Sequence, residues 1–394
     1  MLETLKAPPP DKIIELIGLF AADPRQDKLD LGVGVYKDID GRTPIMRSVK
    51  TAEQRLWQSQ TTKTYGALLG DSTFLAGMQA LIFGEAVAAD RIAAAQTPGG
   101  TGAVRQLFEL ARIANPGTTV WLSEPTWPNH PAILKHLGLP VRTYRYFDPT
   151  TLGVDFAGLV ADLGEAAAGD LVLLHGCCHN PTGANLDLAQ WRALSDLCVA
   201  RGLLPMIDLA YQGFGDGLEE DVAGLRHMAG AVPELLVAAS CSKNFGVYRD
   251  RVGAAFAICA VPASVPATRG NLGTLNRLTY SFPPDHGAAL VGMILADPAL
   301  RADWQAELEA MRLNMLTLRE GLADALRRAS NSDRFDFIAR HRGMFSRIGA
   351  SPEQVAALRA DHGIYMTGDS RINVAGLPAT GLDKLAAAIV AVGA

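Results

Sequence analysis

The 394-residue chain exceeds the roughly 250–300 residues at which one hydrophobic core stops growing, so at least two domains are expected. Hydrophobic residues make up 48% and charged residues 20%, an ordinary balance for a globular enzyme. A net charge of −5 with no basic run argues against nucleic-acid binding, and no apolar run reaches the roughly 18 residues of a membrane span.

The chain opens without the basic region, short apolar core and small-residue cleavage site of a secretory signal. Pro8-Pro9-Pro10 reads as a stiff extended segment, and Asp11 as the N-cap of a helix carrying Ile13, Ile14, Ile17 and Phe20. Further on, Pro98-Gly99-Gly100-Thr101-Gly102-Ala103-Val104-Arg105 runs into the helix-like Leu107-Phe108-Glu109-Leu110. Glycines at a helix entrance expose backbone N–H groups where the dipole favours an anion, and Thr101 adds a hydroxyl. The pattern fits a phosphate but lacks the spacing of the dinucleotide fingerprint, which disfavours a nicotinamide enzyme.

Continuous apolar runs follow at Thr119–Leu122, Leu171–Leu174, Pro205–Ile207 and Leu235–Ala238. Such runs suit strands buried on both faces. A helix is predicted between them, from Asp187 as N-cap through Trp191, Leu194, Leu197 and Cys198 to a stop at Gly202. This alternation predicts an α/β domain with a mostly parallel sheet. Late in the chain, Trp304, Leu308, Met311, Met315, Leu318, Leu322 and Leu326 form the stripe of one long helix, expected to join the large domain to a smaller C-terminal one. The expected boundaries are 1–45 for an N-terminal arm and part of the small domain, 46–307 for the large domain and 308–394 for the small one.

Polar clusters end several of these runs, where ligand sites of α/β sheets belong. His175 to Gly183 follows one, Asp208 to Gly213 another, and Ser240-Cys241-Ser242-Lys243 a third. Lys243, with Ser240, Ser242 and Arg251 nearby in sequence, suits covalent attachment of an aldehyde cofactor whose phosphate those groups hold; the alternative is a strand-end lysine with its amine in water. Asp208 ends a buried run and needs a partner, which a pyridinium N–H would supply. Tyr211, three residues on, would reach the ring's phenolic oxygen. An N-cap aspartate and a packed tyrosine remain open on these residues alone. Trp127 offers a face for stacking or simply fills core, and Arg371 offers a carboxylate clamp or an ordinary surface charge.

The five cysteines are odd in number and form no CxxC, so they read as reduced thiols of a cytoplasmic protein. Cys177-Cys178 beside His175 and His179 invites a metal reading. Adjacent cysteines suit zinc poorly and no second pair closes the site, so no metal is expected.

Taken together the segments resemble one family. Gly32-Val33-Gly34-Val35-Tyr36-Lys37-Asp38, Gly99 to Gly102, Trp127-Pro128-Asn129-His130, His179-Asn180-Pro181-Thr182-Gly183, Asp208 to Gly213, Ser242 to Gly246, Tyr280-Ser281-Phe282-Pro283-Pro284 and Arg371 to Gly376 occur in the order of class I aminotransferases of fold type I. The chain is similar to the aspartate and aromatic amino acid subgroup over essentially its whole length. His175 to Gly183 and Asp208 to Gly217 resemble most the bacterial aromatic amino acid aminotransferases.

The resemblance implies a pyridoxal 5'-phosphate enzyme with a large, mostly parallel α/β domain and a smaller α/β domain. Lys243 would carry the cofactor and shuttle the proton. Asp208 would hold the ring nitrogen, and Tyr211 and Asn180 the phenolic oxygen. Gly100, Thr101, Ser240, Ser242 and Arg251 would hold the phosphate, with Trp127 stacked on the ring. Arg371, with Asn180 and Gly34, would take the α-carboxylate. Tyr65 and Arg277 would reach the site from the partner of a homodimer, and His130 and His175 would support Asp208. Amino acids and 2-oxo acids are the implied substrates, 2-oxoglutarate the acceptor.

Two positions depart from the aspartate-specialised pattern. Phe282 and Thr64 stand where asparagine is usual, which favours acceptance of aromatic side chains alongside aspartate. The alternatives are an aspartate-specific aminotransferase, another reaction on the same cofactor such as decarboxylation, or a regulator with a transaminase-like body. The last would need a helix-turn-helix segment for which the N-terminal region is too short.

Overall fold

The four apolar runs form strands, and three further strands join them in a seven-stranded sheet. The strands are β1 (Ile92–Pro98), β2 (Val120–Glu124), β3 (Val141–Arg145), β4 (Leu171–His175), β5 (Leu204–Leu209), β6 (Leu235–Ser240) and β7 (Val252–Ile258). Their spatial order is β1-β7-β6-β5-β4-β2-β3. Strand β7 is antiparallel to both neighbours, whereas β3, β2, β4, β5 and β6 run parallel. The expected mostly parallel sheet is therefore present, with one reversed strand.

The computed structural model describes residues 1–7 and 11–394; the segment expected at Pro8-Pro9-Pro10 lies outside them. The chain divides into two compact units, Pro44–Asn314 and Met1–Thr43 with Met315–Ala394. The larger holds the seven-stranded sheet. Helix Gly99–Ala114 buries Ala103, Val104, Leu107 and Phe108 in the same apolar cluster as Leu171, Leu173 and Met206. A buried aliphatic or aromatic side chain contributes about 1.5–3 kcal/mol, so this cluster fixes the sheet that carries the polar strand ends.

Helix Leu188–Arg201 has the predicted N-cap. The Asp187 carboxylate accepts from Gln190 N, and the Gln190 side chain returns to the Asp187 N–H. It stops at Gly202, whose φ of +64° is left-handed. The long helix spans Pro298–Ser330, and all seven stripe residues are buried. Its residues up to Asn314 belong to the larger unit and those from Met315 to the smaller.

In the smaller unit the N-terminal residues pair with C-terminal ones. Leu29–Asp30 runs parallel to Ile364–Tyr365, and Phe345–Arg347 antiparallel to Arg371–Asn373. The Asp11 carboxylate caps helix Lys12–Ala22 at the N–H groups of Ile13 and Ile14. Helical spacing there did not mean inward packing: Ile14 and Ile17 are exposed and Leu16 is the buried residue of the helix.

Candidate active site

Register puts the polar strand ends side by side. His175 is opposite Asp208 across β4 and β5, Asp208 is opposite Ala238 across β5 and β6, and β6 ends two residues later at Ser240. All three lie on the carboxyl edge of the sheet. Reversal of β7 then matters. Being antiparallel, β7 starts at the edge where its neighbours end, so Gly253 pairs with both Ser240 and Thr97. Arg251, just before β7, is thereby delivered to the start of helix Gly99–Ala114.

The result is an anion cradle. No side chain caps the first turn of that helix. Arg251 Nη1 donates to Ser242 Oγ at 3.3 Å, and Ser242 N–H donates to Ser240 Oγ at 3.3 Å. The fit excludes side chains at two glycines. A Cβ on Gly99, whose φ is +71°, would lie 2.5 Å from Arg251 Nη2, and one on Gly100 would lie 2.8 Å from Ser240 Cβ. Arg251 itself holds a left-handed φ of +54°, a conformation that costs an L-residue roughly 1–2 kcal/mol. A cavity of about 360 Å³ adjoins the cradle and is lined by Thr101, Arg105, Arg251 and Tyr280 among others.

Lys243 follows the cradle. It is half-buried, with Nζ 4.7 Å from the centroid of the Tyr211 ring. Burial lowers its pKa to about 8; Asp208 acts to raise it and Arg251 to lower it. The segment after it is held from behind. Phe245 stacks on Trp304 at 4.4 Å, and Trp304 Nε1 donates to Asn244 O at 2.7 Å. The sequence showed Trp304 only as part of the helix stripe.

Asp208 is the far pole. Burial alone would push its carboxyl up, but the hydrogen bond from His130, with the Lys243 amine nearby, leaves it below the usual value. The contact is His130 Nε2 to Asp208 Oδ2, 3.1 Å. Behind it runs a chain with one consistent direction. Asn180 N–H donates to His175 Nδ1 at 3.5 Å, so His175 Nε2–H donates to Thr126 Oγ1 at 3.3 Å. The Thr126 hydroxyl then donates to His130 Nδ1 at 2.8 Å, and His130 Nε2–H reaches Asp208. His175 suits this role, because burial and the neighbouring His130 hold its pKa down to about 3 against the opposing pull of Asp208. Thr126 immediately precedes the Trp127 to His130 segment, yet nothing in its residue type or spacing marked it as the link.

Two buried groups hold the loops that carry Asn180 and Tyr211. His179 contacts Ser123 Oγ at 3.0 Å and Thr182 Oγ1 at 2.9 Å, with its ring 3.9 Å from that of Tyr146. Asp221 accepts the N–H groups of Gly213, Gly215 and Asp216 at 2.8–2.9 Å; burial, opposed by those bonds, raises its pKa to about 6. The Sγ atoms of Cys177 and Cys178 and a carboxylate oxygen of Asp221 lie within 4.8 Å of one another, but that carboxylate is already engaged by the loop. Trp127 is half-buried and edge-on to His130, with ring centroids 5.1 Å apart.

Arg371 and Gly34 belong to the smaller unit. The Arg371 guanidinium lies 4.3 Å from the Phe345 ring, and Nη2 donates to Gly32 O at 2.9 Å. Asn373 Nδ2 donates to Val33 O and Val35 O, fixing the loop around Gly34. A Cβ on Gly34 would meet Phe345 Cζ at 2.9 Å. Tyr65 and Arg277 group with Phe282 instead. The Tyr65 ring stacks on Phe282 at 5.0 Å, and the Arg277 guanidinium lies 5.7 Å from the same ring and bonds Ser281 Oγ. Tyr65 and Arg277 are exposed on the single chain.

The family model for aminotransferase class I and II matches residues 26–389. The chain is 59% identical over 393 residues to the aromatic-amino-acid aminotransferase of Paracoccus denitrificans, covering 100% of both. It is 45% identical over 395 residues to the aspartate aminotransferase of Salmonella typhi, again covering 100% of both. It superposes with a TM-score of 0.97 on the aromatic-amino-acid aminotransferase from Burkholderia pseudomallei covalently bound to pyridoxal phosphate, at 40% identity, over 100% of this chain and 99% of that one.

Proposed function

The chain belongs to the class I and II aminotransferases and is a transaminase, and from that premise we propose that it uses pyridoxal 5'-phosphate to exchange amino groups between aromatic or dicarboxylic amino acids and 2-oxoglutarate. One observation carries the cofactor reading. A half-buried lysine with a lowered pKa shares the carboxyl edge of one sheet with a carboxylate held by His130 and a cradle of hydroxyls, arginine and helix N–H groups. The donor set suits the group at both ends. The cradle suits a phosphate, and Asp208, kept ionised, suits a protonated ring nitrogen.

When bound, the cofactor supplies an electron-poor ring that drains the charge left at the substrate Cα after proton removal. The residues do the rest. Gly100, Thr101, Ser240, Ser242 and Arg251 hold the phosphate, while Trp127, Asn180 and Tyr211 orient the ring. Asp208 keeps a proton on the ring nitrogen. Lys243 Nζ would be the attachment point and the base for the Cα proton; a pKa of about 8 leaves roughly a tenth of the amine unprotonated at pH 7, far more than an ordinary lysine would have. Arg371, beside the Gly34 backbone, would take the α-carboxylate through two parallel hydrogen bonds.

The reading includes a homodimer in which Tyr65 and Arg277 serve the partner's site; their exposure on the single chain is what supports it. It also includes a cytoplasmic location. Among the described residues no helix is long and apolar enough to cross a membrane.

The test is reduction of the cofactor-loaded protein with borohydride, followed by peptide mapping, alongside a donor panel with 2-oxoglutarate. Label on Lys243 and keto-acid formation dependent on the acceptor are expected. Label on another lysine, or keto acid formed well beyond one equivalent per site without an acceptor, would refute the reading.

A further inference from the structure

The stripe of the long helix contains one residue that apolar patterning does not call for. Arg319 lies four positions after Met315 and three before Leu322, and it is 0% exposed. Taking a guanidinium out of water costs several kcal/mol, and an apolar side chain of similar volume is often neutral or stabilising at such a position.

Its hydrogen bonds show what it holds. Nε donates to Gly343 O at 3.1 Å, and Nη1 to Ile338 O at 3.1 Å and Ser346 Oγ at 2.8 Å. Nη2 donates to Gly343 O and Phe345 O, both at 2.7 Å. Ser346 Oγ, which accepts from Arg319, also lies 3.2 Å from His341 Nδ1. The guanidinium thus sets the path of the chain from Ile338 to Ser346.

That path ends at Arg371. Strand Phe345–Arg347 pairs with Arg371–Asn373, Phe345 opposite Asn373 and Arg347 opposite Arg371. The Phe345 ring is also the surface on which the Arg371 guanidinium lies, 4.3 Å away. Arg319 therefore fixes both the backbone beside Arg371 and the ring beneath it. Two parallel bonds to a carboxylate need the guanidinium plane correctly aimed. We propose that Arg319 is a positioning residue that aims Arg371 through Phe345, an inference that rests on Arg371 being the α-carboxylate clamp.

The experiment compares Arg319→Met, Arg319→Lys, Phe345→Leu and Arg371→Met in the full-length, cofactor-loaded enzyme. It measures kcat, KM for donor and acceptor, Kd for 3-phenylpropionate by calorimetry, and Tm. Misplacement of a binding group by about 1 Å can cost on the order of 100-fold. Arg319→Met and Phe345→Leu should raise both KM values and the Kd by about tenfold or more, with kcat changed much less. Arg319→Lys, which retains three donors, should recover most of the loss. A variant that lowers only Tm, with KM and Kd unchanged, overturns the proposal. If Arg319→Met does not fold, unchanged KM and Kd in Phe345→Leu overturn it equally. Arg371→Met separates the two claims. Unchanged Kd there removes the clamp reading and the inference with it, whereas a loss there with none in the Arg319 and Phe345 variants removes the inference alone.

Discussion

His130 Nε2 lies 3.1 Å from Asp208 Oδ2, and the same ring receives the Thr126 hydroxyl at Nδ1, 2.8 Å away. Asp208 is thus held ionised by a histidine whose orientation is itself fixed. Asp208→Asn keeps the shape but cannot hold a ring-nitrogen proton as strongly. Transition-state electrostatics of this kind are worth roughly 3 kcal/mol or more, on the order of a 100-fold loss in rate. Thr126→Val leaves Asp208 in place and should cost less. Exchange of the substrate Cα–H with deuterated solvent measures both, and near-normal exchange in Asp208→Asn would defeat the assignment.

Lys243 gives a pH prediction. Its ammonium is disfavoured by burial and by Arg251 and favoured by Asp208, which leaves a pKa of about 8 against the usual 10.5. Deprotonation is therefore half complete at about pH 8, and the nucleophilic amine becomes scarce as pH falls below that. In cofactor-free protein, the rate of aldehyde capture by Lys243 should inflect near pH 8. Asp208→Asn removes the charge that raises the pKa, so its inflection should move lower. Stopped-flow mixing with pyridoxal across pH reads both, and an inflection at the ordinary lysine value would contradict the electrostatic picture.

Gly100 tests the cradle. A Cβ there would lie 2.8 Å from Ser240 Cβ, so one of the two backbones must shift. Overpacking typically costs about 1–3 kcal/mol, here applied where the phosphate donors converge. Gly100→Ala should weaken cofactor retention by about tenfold or more, while Thr279→Ser, on the wall of the neighbouring cavity, should not. Dialysis against phosphate followed by cofactor absorbance provides the comparison. Equal retention in Gly100→Ala would mean that the phosphate lies elsewhere.

The sequence made the strand ends legible because each buried run stops abruptly at polar residues: Leu174 then His175, Ile207 then Asp208, Ala239 then Ser240. Strands β1 and β7 were harder to see. Ala93, Ala94 and Ala95 in one, and Ala254, Ala255 and Ala257 in the other, carry little strand propensity. Reversal of β7 was invisible too, since apolar patterning has a period but no direction. That reversal is what brings Arg251 to Gly99. The Thr126 link depends on His175, 49 residues away, which no local pattern encodes, whereas the Asp221 cap spans only five to eight residues of an irregular loop with no periodicity to mark it.

Arg277 tests the donor range. On the single chain its guanidinium rests over Phe282, within cation–π reach at 5.7 Å, and bonds Ser281 Oγ; Thr64 contacts Thr62. An aromatic ring at Phe282 gives this arginine an apolar face to lie on when no carboxylate is offered, and its flexible stem lets the charge remain in water. A side-chain carboxylate of aspartate would instead gain charged hydrogen bonds worth about 1.5–3 kcal/mol, a contribution that phenylalanine cannot make. Phenylalanine, tyrosine and aspartate should therefore all be donors with 2-oxoglutarate. Arg277→Ala should lower kcat/KM for aspartate by roughly 10–150-fold and for phenylalanine by far less. Measuring both donors in both proteins settles the matter. Turnover of aspartate alone, or equal losses for the two donors, would leave an aspartate-specific aminotransferase as the better description, with Phe282 a packing residue that takes no part in donor choice.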